Sequence, residues 1–531
     1  MTSFLRAHRA APSPSQMRWL LVAAAVVLRL PGLQRPLYLD EYATLEVLSQ
    51  PTWTAAMTIL RADTHLPGYF LCLMLWSKAS MATPWLRLLS LCFDVGTLVC
   101  LGRLCQRWGA PTACWAIALW GANPIALRFS VEIRPYALLA LLTLIGLWLA
   151  CELIEQRRRA QVGALCVAWA ALVATHPVGL MAVVASLGAL ALQLLLTPPA
   201  IPALSSLHTA QKWPTPTFSH FAQVVRRFFP LLPGTLTALF LFAGLHWGFT
   251  LDPSGARASW RPKMSGTLFS TILDNCMGTD AGAFVTRLGR EGPAGVGLGP
   301  GLYLLALGAG LWRGLSRTWA AAALLHVVIV AAYSLVGTPV FWYRSIFPSL
   351  IFAAIASAIV LSQHKARWPA WVAVAMVTWQ VSIWLPRASR AIDPTQQVAQ
   401  AAVAAMQPGE AMCVFPDWMN QTVWPYLPTA MWPQISTCTK LPATPSLHRG
   451  VGIVRCNLDL LEGPSGLRAQ FSAMRQHGVH LHDIFAFLDD DDDLYPAGRT
   501  RRLELLDAIK ATAGPCEVDG IEERVAHLRC P

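Results

Sequence analysis

Along the first 386 positions, apolar residues gather in runs of roughly 15 to 20, separated by short segments rich in Pro, Gly and basic side chains. A helix needs about 20 mostly apolar residues to cross the hydrocarbon core of a bilayer. Runs reaching or approaching that length lie near 17–33, 66–82, 86–105, 112–129, 136–154, 161–175, 178–197, 229–249, 299–313, 318–336, 344–362 and 368–386. Basic residues in short loops mark the cytoplasmic ends of spans. They are densest at the amino end (Arg6, Arg9, Arg18), at Arg103 with Arg107, at Arg157 to Arg159, in 198–228 (Lys212, Arg226, Arg227), at Arg313 with Arg317, and at Lys365 with Arg367. Consecutive cytoplasmic loops enclose an even number of crossings, and every interval after the first holds two runs. The first holds three, and the weakest of these, 66–82, carries Pro67, Gly68, Ser77, Lys78 and Ser80. It is therefore expected to be an interfacial or re-entrant helix. The pattern predicts about eleven crossings with the amino end inside, and it puts 34–85, 129–136, the turn at His176-Pro177, 250–298 and 337–344 on the outer face.

Beyond 386 the pattern changes. Strand-like runs at 411–415, 450–455 and 481–487 alternate with helix-like runs at 395–406, 464–476 and 501–512. This predicts two parts: a transmembrane module over 1–386 and an extracytoplasmic α/β domain over 387–531, long enough for a core of its own. Composition agrees, since 531 residues with 55% hydrophobic, 13% charged and a mean hydropathy of +0.45 are too apolar for a soluble chain. Disorder, a coiled coil and a disulfide-stapled secreted module are excluded. The net charge of +12 reads as topology, because the basic residues fall between apolar runs and form no nucleic-acid-binding stripe. Seven of the 13 Cys lie in or beside apolar runs without CxxC spacing and read as packing residues. The other six (276, 413, 438, 456, 516 and 530) lie in polar segments and could pair only in an oxidising compartment.

Candidate chemistry concentrates on the outer face. The first outer segment reads Leu39-Asp40-Glu41-Tyr42, then Asp63-Thr64-His65-Leu66-Pro67-Gly68-Tyr69. Acids at a span end, followed by a His before a Pro-started apolar run, stand where a lipid head group can reach them. By residue type alone, Asp40 and Glu41 are better read as capping a helix from Tyr42 to Ser49, where carboxylates favour the dipole. Asn123-Pro124 precedes Ser130-Val131-Glu132-Ile133-Arg134-Pro135-Tyr136 at a span mouth, where an ordinary surface ion pair or a snorkelling Arg is the plain alternative. Arg29, within the first span, requires an anion partner. Asp94 falls mid-span, with a neighbouring Ser or Trp as an equal explanation. His176 occupies an outer turn, and Tyr343-Arg344 precedes a late span. The segment 250–298, with Arg257, Trp260, Arg261, Lys263, Asp274 and Asp280, suits a cover over a sugar as well as it suits an interfacial belt. HExxH, GxSxG and phosphate-loop signatures are absent, and the run Asp489 to Asp493 lacks EF-hand spacing.

Taken in order, the acidic pair after the first span, His-x-Pro-x-Tyr, Asn-Pro with Glu-x-Arg-x-Tyr, Thr-His and the late outer Arg resemble the GT-C glycosyltransferases. The nearest group is that of the bacterial protein-mannosyltransferase-like and aminoarabinose-transferase-like membrane enzymes. The resemblance covers roughly 17–390. It implies inverting transfer of a sugar, hexosyl or pentosyl, from a polyprenyl-phosphate donor to an acceptor hydroxyl on glycan, lipid or protein. The reaction would take place on the outer face of a cell inner (plasma) membrane, with no nucleic acid involved. Carried onto this chain, the resemblance implies Asp40 as the catalytic base, Glu41 as its orienting neighbour and Glu132 as a second acid. It further implies that Arg29, Asp63, His65, Tyr69, Arg134, Tyr136, His176, Tyr343 and Arg344 contact substrate. Asp-Glu-Tyr in place of Asp-Glu-Ala, and His-Leu-Pro in place of His-Pro-Pro, imply a differently shaped acceptor pocket. A leaving phosphate departs as an anion without a general acid, so no cofactor and no metal are expected. A transporter or lipid flippase would need intramembrane charges in paired broken helices, of which Arg29 and Asp94 are the candidates. A non-catalytic envelope scaffold would work through its tail alone.

Overall fold

A computed structural model of the chain describes chiefly residues 12–35, 39–62, 66–156, 160–196, 218–249, 314–336 and 343–363, short stretches between 308 and 385, and six strands between 410 and 529. Two compact units are present. One comprises Met1–Leu33 with Gln50–Ser389, and the other Gln34–Ser49 with Arg390–Pro531.

The first unit is helical. In chain order it contains α1 (Pro14–Arg29), α3 (Trp53–Ala62), α4 (Pro67–Ser77), α5 (Thr83–Cys105), α6 (Ala110–Ala122), α7 (Pro124–Phe129), α8 (Tyr136–Gln156), α9 (Ala160–Thr175), α10 (Val178–Leu196), α11 (Phe218–Phe228), α12 (Leu232–Phe249), α13 (Gly314–Val336) and α14 (Tyr343–Gln363). Helix α2 (Leu39–Leu48) belongs to the other unit. Proline mostly starts these helices. Pro14, Pro67, Pro84, Pro111 and Pro124 occupy first turns, where the missing N–H has no intrahelical partner anyway, and Pro348 alone among the described prolines lies inside a helix. At α1 a capping box adds to this, with the Ser13 and Gln16 side chains each taking the other's backbone N–H.

Among the described residues seven helices are long and apolar enough to cross a membrane, and the chain is a multi-pass membrane protein. The expected span 112–129 is broken. Asn123 is extended because a following proline disfavours helical backbone, so α6 ends there and the short α7 begins. At 16 residues α9 is a shorter apolar helix. The run 299–313 falls largely, and 250–298 wholly, outside the described residues, while about half of 368–386 is described and holds a shorter apolar helix, Ala373–Ser382. Helix α4, expected over 66–82 as an interfacial or re-entrant helix, has 11 residues and spans roughly 16 Å, about half of the hydrocarbon thickness. Its end is tied to α5 by Trp76 and Trp85. Their rings stack 4.6 Å apart, and each indole N–H donates to the other's carbonyl, at 2.8 and 3.1 Å.

The core forms where α1 and α5 pack on α6, α8 on α5 and α9, α12 on α9, α10 on α13, and α14 on both α13 and α6. Trp120, Trp169, Trp319, Phe129, Phe347 and Phe352 are wholly buried there. Gly146 permits the close approach of α8 to α9, because a Cβ on it would lie 2.5 Å from Trp169 Nε1. The seven described cysteines are all free.

In the second unit α2 buries Glu41, Thr44 and Val47, spaced three apart along one face. Its sheet has six strands: β1 (Glu410–Phe415), β2 (Ser436–Thr437), β3 (Gly452–Arg455), β4 (His480–Phe487), β5 (Glu517–Glu522) and β6 (Val525–Arg529). The order is β2-β3-β1-β4-β6-β5, with β2, β3, β1 and β4 parallel and the β5–β6 hairpin antiparallel on the β4 edge. Parallel neighbours need crossover connections of a dozen or more residues. The chain has that length between these strands, and the helix-like runs expected there, like Asp489 to Asp493, lie outside the described residues.

Candidate active site

Several of the residues singled out from sequence meet at one end of the first unit. The Asn123 side chain caps α7, its Oδ1 accepting from the N–H groups of Ile125 and Ala126, both at 3.0 Å. One and a half turns later the chain leaves the helix through Ser130. The hydroxyl of Ser130 donates to Leu127 O at 2.7 Å. Val131 packs with Leu127 against Leu28 and Leu33, and Ile133 is also buried, so the segment 131–135 is held by its apolar members. Glu132 and Arg134, between and beside these anchors, are carried inside with them and are 1% and 2% exposed. They form no surface pair with each other. Instead Glu132 Oε1 accepts from Arg128 Nε at 2.6 Å, four residues back.

A chain of hydroxyls supports the backbone of this turn. The Ser90 hydroxyl of α5 donates to Glu132 O at 2.6 Å and is 3.3 Å from the Tyr69 hydroxyl of α4. Since the Ser90 proton is committed to the carbonyl, Tyr69 is the donor in that second contact. Helix α4 reaches this position because Gly68 lies against the end of α9. A Cβ there would come within 2.8 Å of Ala174 O.

Tyr136, the first residue of α8, gathers the rest. Its ring stacks on Phe129 at 4.3 Å, lies 5.8 Å from the His176 imidazole, and has the Arg344 guanidinium 5.9 Å from its centroid. At that separation Arg344 is within range of a cation–π attraction. His176 also has a local task, its Nδ1 accepting from Val178 N at 3.2 Å in the turn that begins α10. Phe347, one turn past Arg344, meets Phe129 edge to face at 4.8 Å. Glu132, Arg134, Tyr69, Tyr136, His176 and Arg344 thus come from four separate stretches of sequence to one region.

Arg29 differs from expectation. Its anion is internal, because Nε lies 2.7 Å from Asp94 Oδ2 on α5, and both side chains are essentially unexposed. Its Nη1 donates to Ala25 O at 2.7 Å and to Gly121 O at 2.9 Å, and Asp94 Oδ1 accepts from Trp120 Nε1 at 3.0 Å. The pair therefore joins α1, α5 and α6.

In the second unit the first turn of α2 carries Asp40 and Glu41. Glu41 is wholly buried, with Arg35 Nη2 3.9 Å from its carboxylate. The Asp40 and Tyr343 side chains, and Asp63 and His65 altogether, lie outside the described residues. Sequence reasoning missed Arg128, although its i−4 spacing from Glu132 was a usable signal. It also missed Ser90 and Phe129, which nothing local distinguishes from packing residues. Among the described residues no group of three or more His, Cys, Asp or Glu could hold a metal ion.

No protein-family profile and no curated protein matches the chain in sequence. Solved structures do match in fold. The apo ArnT of Cupriavidus metallidurans aligns with a TM-score of 0.55 at 12% identity, over 96% of this chain and 97% of that one. The same protein bound to undecaprenyl phosphate aligns with a TM-score of 0.54 at 12% identity, over the same shares. The Archaeoglobus fulgidus oligosaccharyltransferase tethered to an acceptor peptide aligns at 0.50 and 10% identity, over 93% of this chain and 71% of that one. Across nearly its whole length, therefore, this chain has the fold seen in ArnT.

Proposed function

We propose that this protein is an inverting glycosyltransferase that moves a sugar from a polyprenyl-phosphate carrier to an acceptor hydroxyl at the outer face of a plasma membrane. The observation that carries the reading is the convergence of Tyr69, Glu132, Arg134, Tyr136, His176 and Arg344 at one end of a bundle whose fold is that of a transferase crystallised with undecaprenyl phosphate.

The chemistry follows from the bond that breaks. An acceptor oxygen attacks the anomeric carbon, its proton passes to a carboxylate, and the carbon–oxygen bond to the carrier phosphate breaks with its electron pair on phosphate. Asp40 is the base and Glu41 orients it. The departing group changes from a phosphodiester monoanion to a phosphomonoester dianion, so the gain of charge is what the site must stabilise. Arg344, Arg134 and His65 serve that end, guanidinium being suited to planar contacts with phosphate. Glu132, bound to Arg128, sets the electrostatics of the mouth. No proton need be given to the leaving phosphate, so the reaction proceeds without metal. The amino end is cytoplasmic, and the 387–531 domain is extracytoplasmic. Arg29 and Asp94, the charges a transporter would need free, neutralise each other inside the bundle, which favours the enzyme.

The test is transfer from radiolabelled polyprenyl-phosphate sugars (mannose, glucose, galactose and aminoarabinose) by purified protein with envelope extract as acceptor. Asp40→Asn is expected to lose about 10²–10⁴-fold in transfer while still binding carrier. A wild type that turns over no carrier, or an Asp40→Asn variant equal to it, refutes the reading.

A further inference from the structure

Far along the bundle from Tyr136, the start of α1, the end of α5 and the middle of α6 enclose a second feature. Arg18 lies in the second turn of α1 and Arg103 in the last turn of α5, so both arginines stand at the same end of adjoining helices. With Gln106 they form the polar wall of a pocket of about 210 Å³, whose other lining is Trp19, Val22, Val99, Gly102 and Ile117. That volume is well above the ~10–15 Å³ one water needs on the same measure. The pocket opens to the surroundings of the bundle, since Trp19 is 58% exposed and Arg103 is exposed.

The charge inside it is uncompensated among the described residues. Arg18 Nη1 donates to the neutral Gln106 Oε1, and Arg18 Nε is buried with no partner. No described carboxylate pairs with Arg18 or Arg103, whereas nearby Arg107 is neutralised by both Glu152 and Glu155. The helix-end dipole accounts for a cation at Arg103, but it accounts for none at Arg18, which stands at the opposite, amino end of its own helix. The chain's own leading segment is no complement either, because residues 1–17 hold Arg6 and Arg9 and no acid. Below the arginines the lining becomes apolar within one helical turn, and an indole stands at the rim. A ligand matching this gradient has an anionic head and an aliphatic body.

We propose that this pocket binds an anionic phospholipid, its phosphate between Arg18 and Arg103 and the upper part of its acyl chains against Trp19, Val22, Val99 and Ile117. Basic pockets between membrane helices on the cytoplasmic side suit such head groups, and this is the end that the positive-inside pattern places in the cytoplasm. The site is separate from the carrier site proposed at the opposite face, and it stands whether or not that reading holds.

The experiment uses the full chain, delipidated in maltoside detergent, and measures by native mass spectrometry the binding of phosphatidylglycerol and phosphatidylcholine of matched chains, with thermal unfolding followed in parallel. Phosphatidylglycerol is expected to bind at least tenfold more tightly than phosphatidylcholine. Arg18→Gln/Arg103→Gln is expected to weaken it about 30-fold, the equivalent of about 1 kcal/mol for each arginine. Arg103→Gln alone, at an exposed position with no hydrogen bond or ion pair to a described residue, is expected to weaken it about fivefold and serves if the double variant misfolds. Equal affinity for the two lipids, unchanged binding in the Arg103→Gln variant, or protection by inorganic phosphate equal to that by phosphatidylglycerol would each overturn the proposal.

Discussion

Replacing Asp94 by Leu removes one half of the ion pair at 2.7 Å and leaves the Arg29 guanidinium inside the bundle with only the carbonyls of Ala25 and Gly121. Breaking a buried pair in this way costs about 3–5 kcal/mol, and stranding the Trp120 indole N–H adds about 1–3. Arg29→Met alone strands a carboxylate that still accepts from Trp120, so about 3–5 kcal/mol is expected. The double variant removes both charges, and apolar replacements of similar volume recover most of the loss, leaving roughly the cost of the lone indole donor. A double-mutant cycle should therefore show a coupling of at least about 4 kcal/mol. Unfolding in mixed detergent micelles titrated with sodium dodecyl sulfate measures it, and size-exclusion profiles identify any single variant too unstable to titrate. Additive losses, with the double variant worse than either single one, would refute the pairing as the explanation of both residues. Carrier binding supplies an independent check. If Arg29 serves packing, the refolded double variant still binds polyprenyl phosphate, and its loss would return Arg29 to the substrate site.

Two further outcomes concern the site. Gly68→Ala places a methyl against the backbone of Ala174 and Thr175, at 2.8 to 3.1 Å, which only movement of α4 can relieve. Transfer should fall at least tenfold, because a displacement near 1 Å at a reacting centre costs about 10²-fold, while circular dichroism stays unchanged. Wild-type activity at Gly68→Ala would show that α4 does not position the site. Treatment with EDTA followed by gel filtration should leave transfer within about twofold of the untreated rate. A loss restored by Mg²⁺ or Mn²⁺ would contradict the metal-free mechanism.

Much of the helical part was legible from one dimension. Apolar runs of bilayer length, broken by Pro and by basic residues, are dictated by local free energy, since a helix satisfies its own backbone and the bilayer selects its length. The positions of α5, α8, α10, α13 and α14 follow from that alone. Helix α4 opens at Pro67 within the expected 66–82 run but ends at Ser77, before Lys78 and Ser80. Strands β1, β3 and β4 also fall on apolar runs visible in the sequence. The break at Asn123 was missed because hydropathy continues across it. The Asn-Pro pair announcing it was in view, but as a motif of the outer face.

What a side chain is for, by contrast, depended on who its neighbours became. Arg29 and Asp94 read separately as a buried cation seeking an anion and a mid-span acid seeking a partner, and only the packing of α1 on α5 and α6 makes them answer each other. Glu132 read as an acid at a span mouth, with a surface ion pair as the plain alternative. The burial of Val131 and Ile133 turned the segment inward, and Arg128 became its partner. Tyr136 meets His176 and Arg344 because three helix ends, distant in sequence, finish at one level of the bundle. Local propensity and the bilayer determine where helices run, but the pairing of charges and rings is set by contacts between helices whose register no single segment encodes.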